Sequence, residues 1–426
     1  MNLIEILPFK SPVEAKLIIP GSKSITNRVL ILSVLAKGVS RIYNYSKSSD
    51  SFVLIKALKS LGVKIIVKNK YLEVYGNNGK FAKNNKRINI KDAGTAMRFL
   101  TSLATIIPGK IILYGTPQMN KRPIKELVDS LKLLGAQIIY KNIVGFPPIE
   151  IIGGTLNANS TKINSGISSQ FISSLLLISP VLINGLKLKL IGSNVSKSYL
   201  NLTLHCLKSF GIKVINKKNT FIISKQNVNN LKYKVESDLT SAGYFFGIAA
   251  ITGSRIVIEN INPKSLQGDI LILNILKKMG CKINLSNEQN GIEVIGPKFL
   301  KPIKANLNNL PDSAQTLGVI SAFAKGKSKF TGLKTLKIKE TNRLLALKNE
   351  LAKMKIKTII GIDFIEIFGG NPKPSTINTY NDHRMAMSFA MAGTKLNGIK
   401  IHNPKVVDKS FPEFWDKLLQ IGVNLK

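Results

Sequence analysis

Apolar residues at helical spacing recur along the chain, and each such run ends where alternating apolar and polar residues begin. The first copy reads LKSLGVKIIV and the second LKLLGAQIIY. Glycine at the junction is typical of a left-handed helix C-cap, and the alternation after it predicts a strand. Six copies lie about seventy residues apart, and their shared position is held by Gly62, Gly135, Gly211, Gly280, Lys355 and Gly422. Lys355 must therefore end its helix in another way.

A second pattern runs in step with the first, because each repeat opens with a polar cluster that leads into an apolar helix and a strand. Ser, Thr and Asp at such positions are ordinary N-cap residues, and this role explains Thr240 and Ser313 adequately. Free N–H groups at helix starts also favour anions, so equivalent helices around an approximate symmetry axis predict a shared anion site. The openings are GSKSITNRVLILS, DAGTAMRFLTSL, SSQFISSLLLIS, DLTSAGYFFGIAA, PDSAQTLGVISA and NDHRMAMSFAMAG.

Each repeat reads as helix, strand, helix, strand and final strand, but the sixth repeat stops before its final strand. The N-terminal stretches LIEIL and VEAKLIIP have the missing alternation, so we expect the chain's beginning to complete the last repeat. This predicts two similar halves of three repeats. The N-terminal domain would comprise residues 21–239, and the C-terminal domain residues 240–426 together with residues 1–20.

Composition indicates a globular cytoplasmic protein. The 426 residues are 44% hydrophobic, which is enough for two or three domains with large cores. The longest apolar stretch, from Phe171 to Leu186, is broken by serines and Pro180, and Glu5 and Glu14 interrupt any leader-like start. Two cysteines, Cys206 and Cys281, are too few for a disulfide framework or a zinc cluster.

The formal net charge of +39 first suggests a nucleic-acid partner. The lysines, however, are spread through every segment without a basic arm, and their excess together with asparagine and isoleucine fits AT-rich codon usage. A basic nucleic-acid-binding protein remains an alternative, and a contiguous cationic face with exposed aromatic residues would distinguish it. We expect neither a nucleic-acid partner nor a membrane partner.

Arginine is the rarer basic residue, and five of the eight arginines lie in or beside polar motifs. A planar guanidinium grips carboxylate and phosphate with two parallel bonds, as an ammonium does not. The substrate should therefore carry several negative groups. The stretch IPGSKSITNR lacks the Gly-x4-Gly-Lys-Ser/Thr spacing of a nucleotide loop. The five arginines are Arg28, Arg98, Arg122, Arg343 and Arg384.

These motifs together resemble those of the 5-enolpyruvylshikimate-3-phosphate synthase family, in order from residue 20 to residue 415. The resemblance covers essentially the whole chain, and the DAGTAMR and NDHRMAM segments are its most specific parts. It implies two inside-out α/β domains, each of three repeated βαβαββ-like units. The motifs are PGSKSITNR, DAGTAMRFL, NKRPI, SSQF, SKSY, PDSA, KETNRL, NDHRMAM and DKSFPEFW.

The resemblance implies transfer of the enolpyruvyl group of phosphoenolpyruvate to the 5-hydroxyl of shikimate 3-phosphate, with no metal or organic cofactor. Because Gly94 and Thr95 match the family's usual residues, glyphosate should compete with phosphoenolpyruvate, and we expect a monomer. Shikimate 3-phosphate is implied to contact Lys23, Ser24, Arg28, Ser168, Ser169, Gln170, Ser196, Tyr199, Asp312 and Lys339. Phosphoenolpyruvate is implied to contact Lys23, Gly94, Arg122, Gln170, Arg343, Arg384 and Lys409.

The reaction needs one proton delivered to the methylene carbon and one removed from the attacking hydroxyl. The resemblance assigns Asp312 to the hydroxyl, and Glu340 with Lys23 to the enolpyruvyl group; a plain ion pair is the alternative for Glu340. Thr335, Asn342 and Phe99 depart from the usual family residues. The nearest rival is UDP-N-acetylglucosamine enolpyruvyl transferase, but SSQ, SKSY and KETNR favour a small phosphorylated ring.

Overall fold

The computed structural model describes residues 2–192, 197–286 and 291–426. The chain divides into two compact units, one of residues 21–235 and one of residues 1–20 with 236–426. The helices are α1 (Lys23–Leu35), α2 (Ser49–Ser60), α3 (Gly94–Ala104), α4 (Lys125–Leu133), α5 (Ser169–Ile178), α6 (Lys197–Ser209), α7 (Leu239–Thr252), α8 (Ile272–Lys278), α9 (Ala314–Ala322), α10 (Arg343–Lys353), α11 (His383–Gly393) and α12 (Phe414–Gln420).

The strands are short and amphipathic, as their alternating sequences predict. They are β1 (Leu3–Leu7), β2 (Glu14–Leu17), β3 (Lys37–Tyr43), β4 (Ile65–Val67), β5 (Tyr71–Asn77), β6 (Lys86–Asn89), β7 (Gly109–Tyr114), β8 (Gln137–Tyr140), β9 (Ile149–Gly153), β10 (Ser160–Asn164), β11 (Leu186–Ile191), β12 (Ile215–Lys217), β13 (Thr220–Ile223), β14 (Lys232–Lys234), β15 (Arg255–Ile258), β16 (Lys282–Ser286), β17 (Gly291–Ile295), β18 (Lys304–Asn306), β19 (Gly326–Thr331), β20 (Lys357–Ile360), β21 (Phe364–Gly369), β22 (Thr376–Ile377), β23 (Ile399–His402) and β24 (Asn424–Leu425).

The described strands form six four-stranded sheets with one shared pattern, a parallel pair followed by two antiparallel pairs. Residues 21–235 contain three of them, with strand orders β14-β3-β5-β4, β6-β7-β9-β8 and β10-β11-β13-β12. The other unit contains β16-β17-β15-β2, β18-β19-β21-β20 and β22-β23-β1-β24.

The chain's first two strands lie in different sheets. Strand β1 pairs antiparallel with β23 and β24, with Glu5 opposite Lys400. It is the third strand of its sheet, as β9 and β21 are of theirs. Strand β2 instead pairs parallel with β15, with Leu17 opposite Ile258, as the first strand of the other sheets pairs with the second.

Within each unit, the first helix of every repeat packs against its counterparts. Helices α1, α3 and α5 contact one another in one unit, and α7, α9 and α11 do so in the other. Every residue of α3 and α11 is buried, including the arginines Arg98 and Arg384. The sheets bury one face each, as the strict alternation of exposed and buried residues in β11 shows. This is the predicted inside-out α/β architecture.

Candidate functional site

In the unit of residues 21–235, Arg28 lies on α1 and joins three helices through neutral partners. Its Nε donates to Thr203 Oγ1 at 2.8 Å, and its Nη1 donates to the carbonyl of Ser24 at 2.7 Å. The Nη2 atom donates to Ser173 Oγ at 3.1 Å and to the Tyr199 carbonyl at 3.3 Å. Burial lowers the pKa of this guanidinium, since the side chain is only 2% exposed. A buried positive charge with neutral partners favours a nearby anion.

Lys23 is the first residue of α1, whose first N–H groups have no partner within the helix. The Nζ atom forms an ion pair with Asp50 Oδ2 at 3.0 Å, and Asp50 lies in the first turn of α2. Ser24 is the next residue of α1 and is half-buried. Asp50 had not been predicted as part of the site, although its position at a helix start was a usable signal.

Gly94 begins α3 and lies against the end of the Arg122 side chain. A Cβ atom at Gly94 would lie 2.5 Å from Arg122 Nη1, so an unshifted guanidinium leaves no room for any side chain. Arg98 fixes both partners, because its Nη1 donates to the Gly94 carbonyl at 3.2 Å and its Nη2 donates to the Pro123 carbonyl at 2.9 Å. Arg98 is thus a structural residue that sets the distance between Gly94 and Arg122.

The start of α5 presents neutral donors and acceptors. Ser168 is its N-cap, and its hydroxyl accepts from the Gln170 backbone N–H at 3.3 Å. The Gln170 side chain donates to Thr95 Oγ1 at 3.2 Å, which links α5 to α3. Ser169 is buried, and Tyr199 lies in the first turn of α6. Ser196 lies outside the described residues.

In the other unit, one guanidinium binds three carboxylates. Arg343 begins α10, and its Nε donates to Asp382 Oδ2 at 2.7 Å. Its Nη1 lies 3.0 Å from Asp312 Oδ1, and its Nη2 lies 2.8 Å from Glu340 Oε2. Burial acts to lower the pKa of Arg343, but the carboxylates of Asp382, Glu340 and Asp312 outweigh it, so the pKa is raised. The group remains a cation at every working pH.

Asp312 joins this cluster to a second arginine. Its Oδ2 accepts from Arg384 Nη2 at 2.9 Å, and Lys339 Nζ lies 4.0 Å from its Oδ1. Arg384 is the second residue of α11, and its backbone N–H donates to the capping carboxylate of Asp382 at 2.9 Å. Asp312, Lys339, Glu340, Arg343 and Arg384 therefore form one cluster in this unit.

Two buried groups, Asp269 and Tyr244, lie close enough to that cluster to interact with its charges. Asp269 accepts from Ser313 Oγ at 2.6 Å, and burial together with the charge of Asp312 raises its pKa to about 6. Burial also raises the pKa of Tyr244, although Arg384 opposes this. Lys409, the last residue of the 3-10 helix Pro404–Lys409, is buried as well.

The roles of several helix starts differ from expectation. The N-cap of α7 is Asp238, which accepts from the Ser241 N–H, so Thr240 is not the cap. Ser313 makes no capping bond to α9, because its hydroxyl donates to Asp269. Asn342, despite lacking a charge, caps α10 by accepting from the Leu345 N–H at 3.3 Å.

Thr335 and Phe99, which differ from the usual family residues, both lie in regular helical structure. Thr335 is buried in the 3-10 helix Lys334–Ile338, and Phe99 is buried with the Arg28 guanidinium 5.6 Å from its ring centroid. Helix α3 still begins at Gly94.

Residues 2–192, 197–286 and 291–426 contain no cluster of three or more His, Cys, Asp or Glu residues arranged to hold a metal ion. In the same ranges, no helix has the length and apolar character needed to cross a membrane.

Comparison with known proteins gives one consistent family. The family model described as EPSP synthase (3-phosphoshikimate 1-carboxyvinyltransferase) matches residues 9–418. A 3-phosphoshikimate 1-carboxyvinyltransferase of Colwellia psychrerythraea is 37% identical over 417 residues, covering 96% of this chain and 97% of the relative. The protein of the same description from Buchnera aphidicola subsp. Cinara cedri is 39% identical over 417 residues, covering 96% and 95%.

Solved structures agree with this match. An EPSP synthase structure from Acinetobacter baumannii superposes with a TM-score of 0.83 at 26% identity, covering 100% of both chains. The enolpyruvyl transferase NikO from Streptomyces tendae gives a TM-score of 0.79 over 100% of this chain and 98% of its own. At 14% identity, the latter likeness concerns the fold alone.

Proposed function

Because the chain belongs to the EPSP synthase (3-phosphoshikimate 1-carboxyvinyltransferase) family, we propose that the clusters described above bind and convert its two anionic substrates. The chain transfers the enolpyruvyl group of phosphoenolpyruvate to the 5-hydroxyl of shikimate 3-phosphate, giving 5-enolpyruvylshikimate 3-phosphate and phosphate in aromatic amino-acid biosynthesis. The site assignment depends on one observation, that three cationic residues lie at the starts of helices. Lys23 begins α1, Arg343 begins α10 and Arg384 is second in α11.

For shikimate 3-phosphate, we propose the contacts that the family's motifs imply. The neutral groups at the start of α5 suit the directional recognition of ring hydroxyls, and the N–H groups there favour a phosphate or carboxylate. Arg28 belongs to this set because its hydrogen-bond partners are neutral groups. One of them is the carbonyl of Ser24, another residue of the set. The full proposed set is Lys23, Ser24, Arg28, Ser168, Ser169, Gln170, Ser196, Tyr199, Asp312 and Lys339.

For phosphoenolpyruvate, we propose the guanidinium groups as principal ligands. Asp312 bridges Arg343 and Arg384 at 3.0 and 2.9 Å, which is the geometry that a substrate carboxylate or phosphate would adopt between two guanidinium groups. Arg122 is buried beside Gly94, where the missing side chain leaves room for the guanidinium. The full proposed set is Lys23, Gly94, Arg122, Gln170, Arg343, Arg384 and Lys409.

The proposed chemistry has two stages. Asp312 accepts the proton of the 5-hydroxyl while the oxygen attacks the second carbon of phosphoenolpyruvate, and Glu340 with Lys23 supplies a proton to the methylene carbon. The resulting tetrahedral ketal phosphate then loses a proton from that carbon and expels phosphate, which restores the double bond. Arg343 supports the acceptor role of Asp312, because a guanidinium 3.0 Å from that carboxylate favours its ionised form.

We further propose that the enzyme works as a cytoplasmic monomer. Every proposed substrate ligand lies on one chain, so no second copy is needed to complete the site. Cys206 and Cys281 are both buried thiols, which suits a reducing compartment. Light scattering of the purified chain with both substrates tests the oligomeric state, and a stable dimer would refute it.

The proton role of Glu340 is tested by Glu340→Gln, which keeps the side-chain shape and an acceptor for Arg343. Turnover should fall about 10²–10⁴-fold, while the KM values for both substrates change little, because only proton transfer is lost. Glu14→Gln is the matched control, since Glu14 is 74% exposed on β2. If Glu340→Gln turns over within threefold of wild type, Glu340 is an ion-pair residue and the proton role is wrong.

A further inference from the structure

Residues 378–382 lead directly into α11 and form its entry segment. The segment ends at Asp382, whose carboxylate caps α11 and binds Arg343 through two nitrogens, at 2.7 and 3.3 Å. Arg384, a proposed ligand of phosphoenolpyruvate, follows two residues later. The conformation of the entry segment therefore sets where the Arg384 side chain begins.

Glu350 holds the other end of the same segment. Its carboxylate is 0% exposed on α10. Oε2 accepts from the Asn378 backbone N–H at 3.0 Å, and Oε1 accepts from the Tyr380 hydroxyl at 2.7 Å. Lys353 Nζ balances the charge at 2.7 Å from Oε2. Buried carboxylates are costly unless paired in this way, and here the pairing connects α10 to the entry segment.

Glu350 and Arg343 act from one face of α10. They are seven residues apart, which is close to two helical turns, so their side chains project in the same direction. One helix face thus holds the entry segment at its start through Glu350 and at its end through Arg343. A shift of the segment along α10 would break both attachments.

The backbone between these two attachments is strained. Tyr380 and Asn381 are consecutive residues with φ of 54°, in the left-handed region that residues with a Cβ rarely adopt. Such conformations persist where surrounding contacts over-determine them, and they concentrate at functional sites. Asn381 receives one further bond at its Oδ1, from Asn403 Nδ2 at 2.9 Å.

We propose that the Glu350–Tyr380 pair is a positioning device for the enolpyruvyl transfer, which holds the left-handed turn at residues 380–381 so that Asp382 and Arg384 face their partners. Neither residue needs to touch substrate. Burial and the bond to Glu350 raise the pKa of Tyr380 to about 12, so the hydroxyl keeps its proton and remains a donor. The inference rests on the proposed role of Arg384 in binding phosphoenolpyruvate.

Tyr380→Phe tests the device, because it removes one hydroxyl and keeps the ring that packs on the core. The KM for phosphoenolpyruvate should rise about tenfold as Arg384 loses its position, while the KM for shikimate 3-phosphate stays within twofold. Tyr140→Phe in the other unit is the matched control, because no hydrogen-bond partner is described for that buried hydroxyl. Glu350→Gln should reproduce the Tyr380→Phe effect if it folds.

A double-mutant cycle with Arg384→Lys separates the two possible failures. Arg384→Lys alone should raise the KM for phosphoenolpyruvate, and adding Tyr380→Phe should raise it little further, since the pair acts through Arg384. If Arg384→Lys leaves that KM unchanged, the proposed role of Arg384 is wrong. If Arg384→Lys raises it but Tyr380→Phe does not, or if Tyr380→Phe raises both KM values equally, the positioning device does not exist.

Discussion

At the scale of single residues, Arg343 shows how a buried guanidinium is balanced by partners of its own. Its guanidinium is 2% exposed and is bound by Asp312, Glu340 and Asp382. The KETNR motif indicated Arg343 and Glu340, but the carboxylate of Asp382 was predicted only as a helix start. Sequence gives residue types and spacing, whereas an ion pair between residues 39 apart depends on how α10 and α11 pack.

Gly94→Ala should weaken phosphoenolpyruvate binding while the free energy of unfolding changes little. The new Cβ would lie 2.5 Å from Arg122 Nη1, and the flexible end of that side chain would move rather than the backbone. Stability should change little, but the KM for phosphoenolpyruvate should rise about 10–100-fold through the displaced guanidinium. Steady-state kinetics with each substrate varied in turn measure this.

Gly154→Ala is the control for that substitution. Nothing lies within 4 Å of a Cβ at Gly154, so the same chemical change should leave both KM values unaltered. Equal effects of Gly94→Ala on the two substrates would show that Arg122 does not serve phosphoenolpyruvate in particular.

Asp269 should make stability depend on pH. Its pKa is raised from 3.8 to about 6 in the folded chain, so the folded state holds this proton more tightly than the unfolded state. The stabilising contribution is therefore complete below about pH 3.8 and is lost as the pH rises through 6. Relative to Asp269→Asn, wild type should gain on the order of 1 kcal/mol of unfolding free energy between pH 7 and pH 5.

Urea unfolding of both proteins at several pH values measures this difference. Asn at position 269 can still accept the bond from Ser313, so the two proteins differ mainly in the titrating proton. A stability difference that is flat between pH 5 and pH 7 would refute the raised pKa of Asp269.

At the scale of elements, the repeated helix ends were predictable because one backbone conformation requires one residue type. Gly62, Gly135, Gly211, Gly280 and Gly422 all have positive φ. Lys355 has a φ of 61°, so it adopts the same left-handed conformation without being glycine, rather than ending its helix in another way.

The sheets share a second regularity, which the sequence analysis did not predict. Five sheets place a glutamate on the strand that joins the two antiparallel pairs, with a basic partner on a neighbouring strand: Glu5, Glu73, Glu150, Glu293 and Glu366.

Lys355→Gly should stabilise the chain. The left-handed conformation costs a residue with a Cβ about 1–2 kcal/mol, and the extra freedom of glycine in the unfolded state offsets about 0.5–1 kcal/mol of this gain. The free energy of unfolding should therefore rise by about 0.5–1 kcal/mol. Gly62→Lys is the reciprocal control, because a Cβ there meets nothing within 4 Å and only backbone strain is added. The account of the helix ends fails if the two substitutions shift stability in the same direction.

At the scale of the whole molecule, the sixfold repeat was predictable from periodic features, whereas the inside-out α/β architecture was implied by the family resemblance. Strand partners were harder to predict, since β2 joins the sheet of β15 across more than 200 residues of sequence. The charge of +39 is consistent with a chain that handles anionic metabolites, and AT-rich codon usage stays our interpretation of the lysine excess. Glyphosate competition and the individual substrate contacts stay predictions.

We expect the cationic helix starts of this chain to act on phosphoenolpyruvate and a small phosphorylated ring. Phosphate release from phosphoenolpyruvate, measured once with shikimate 3-phosphate and once with UDP-N-acetylglucosamine, tests it most directly. We expect stoichiometric phosphate and 5-enolpyruvylshikimate 3-phosphate with the first acceptor and no phosphate with the second. Release with UDP-N-acetylglucosamine alone, or with neither acceptor, would show that the chain does not catalyse the proposed transfer.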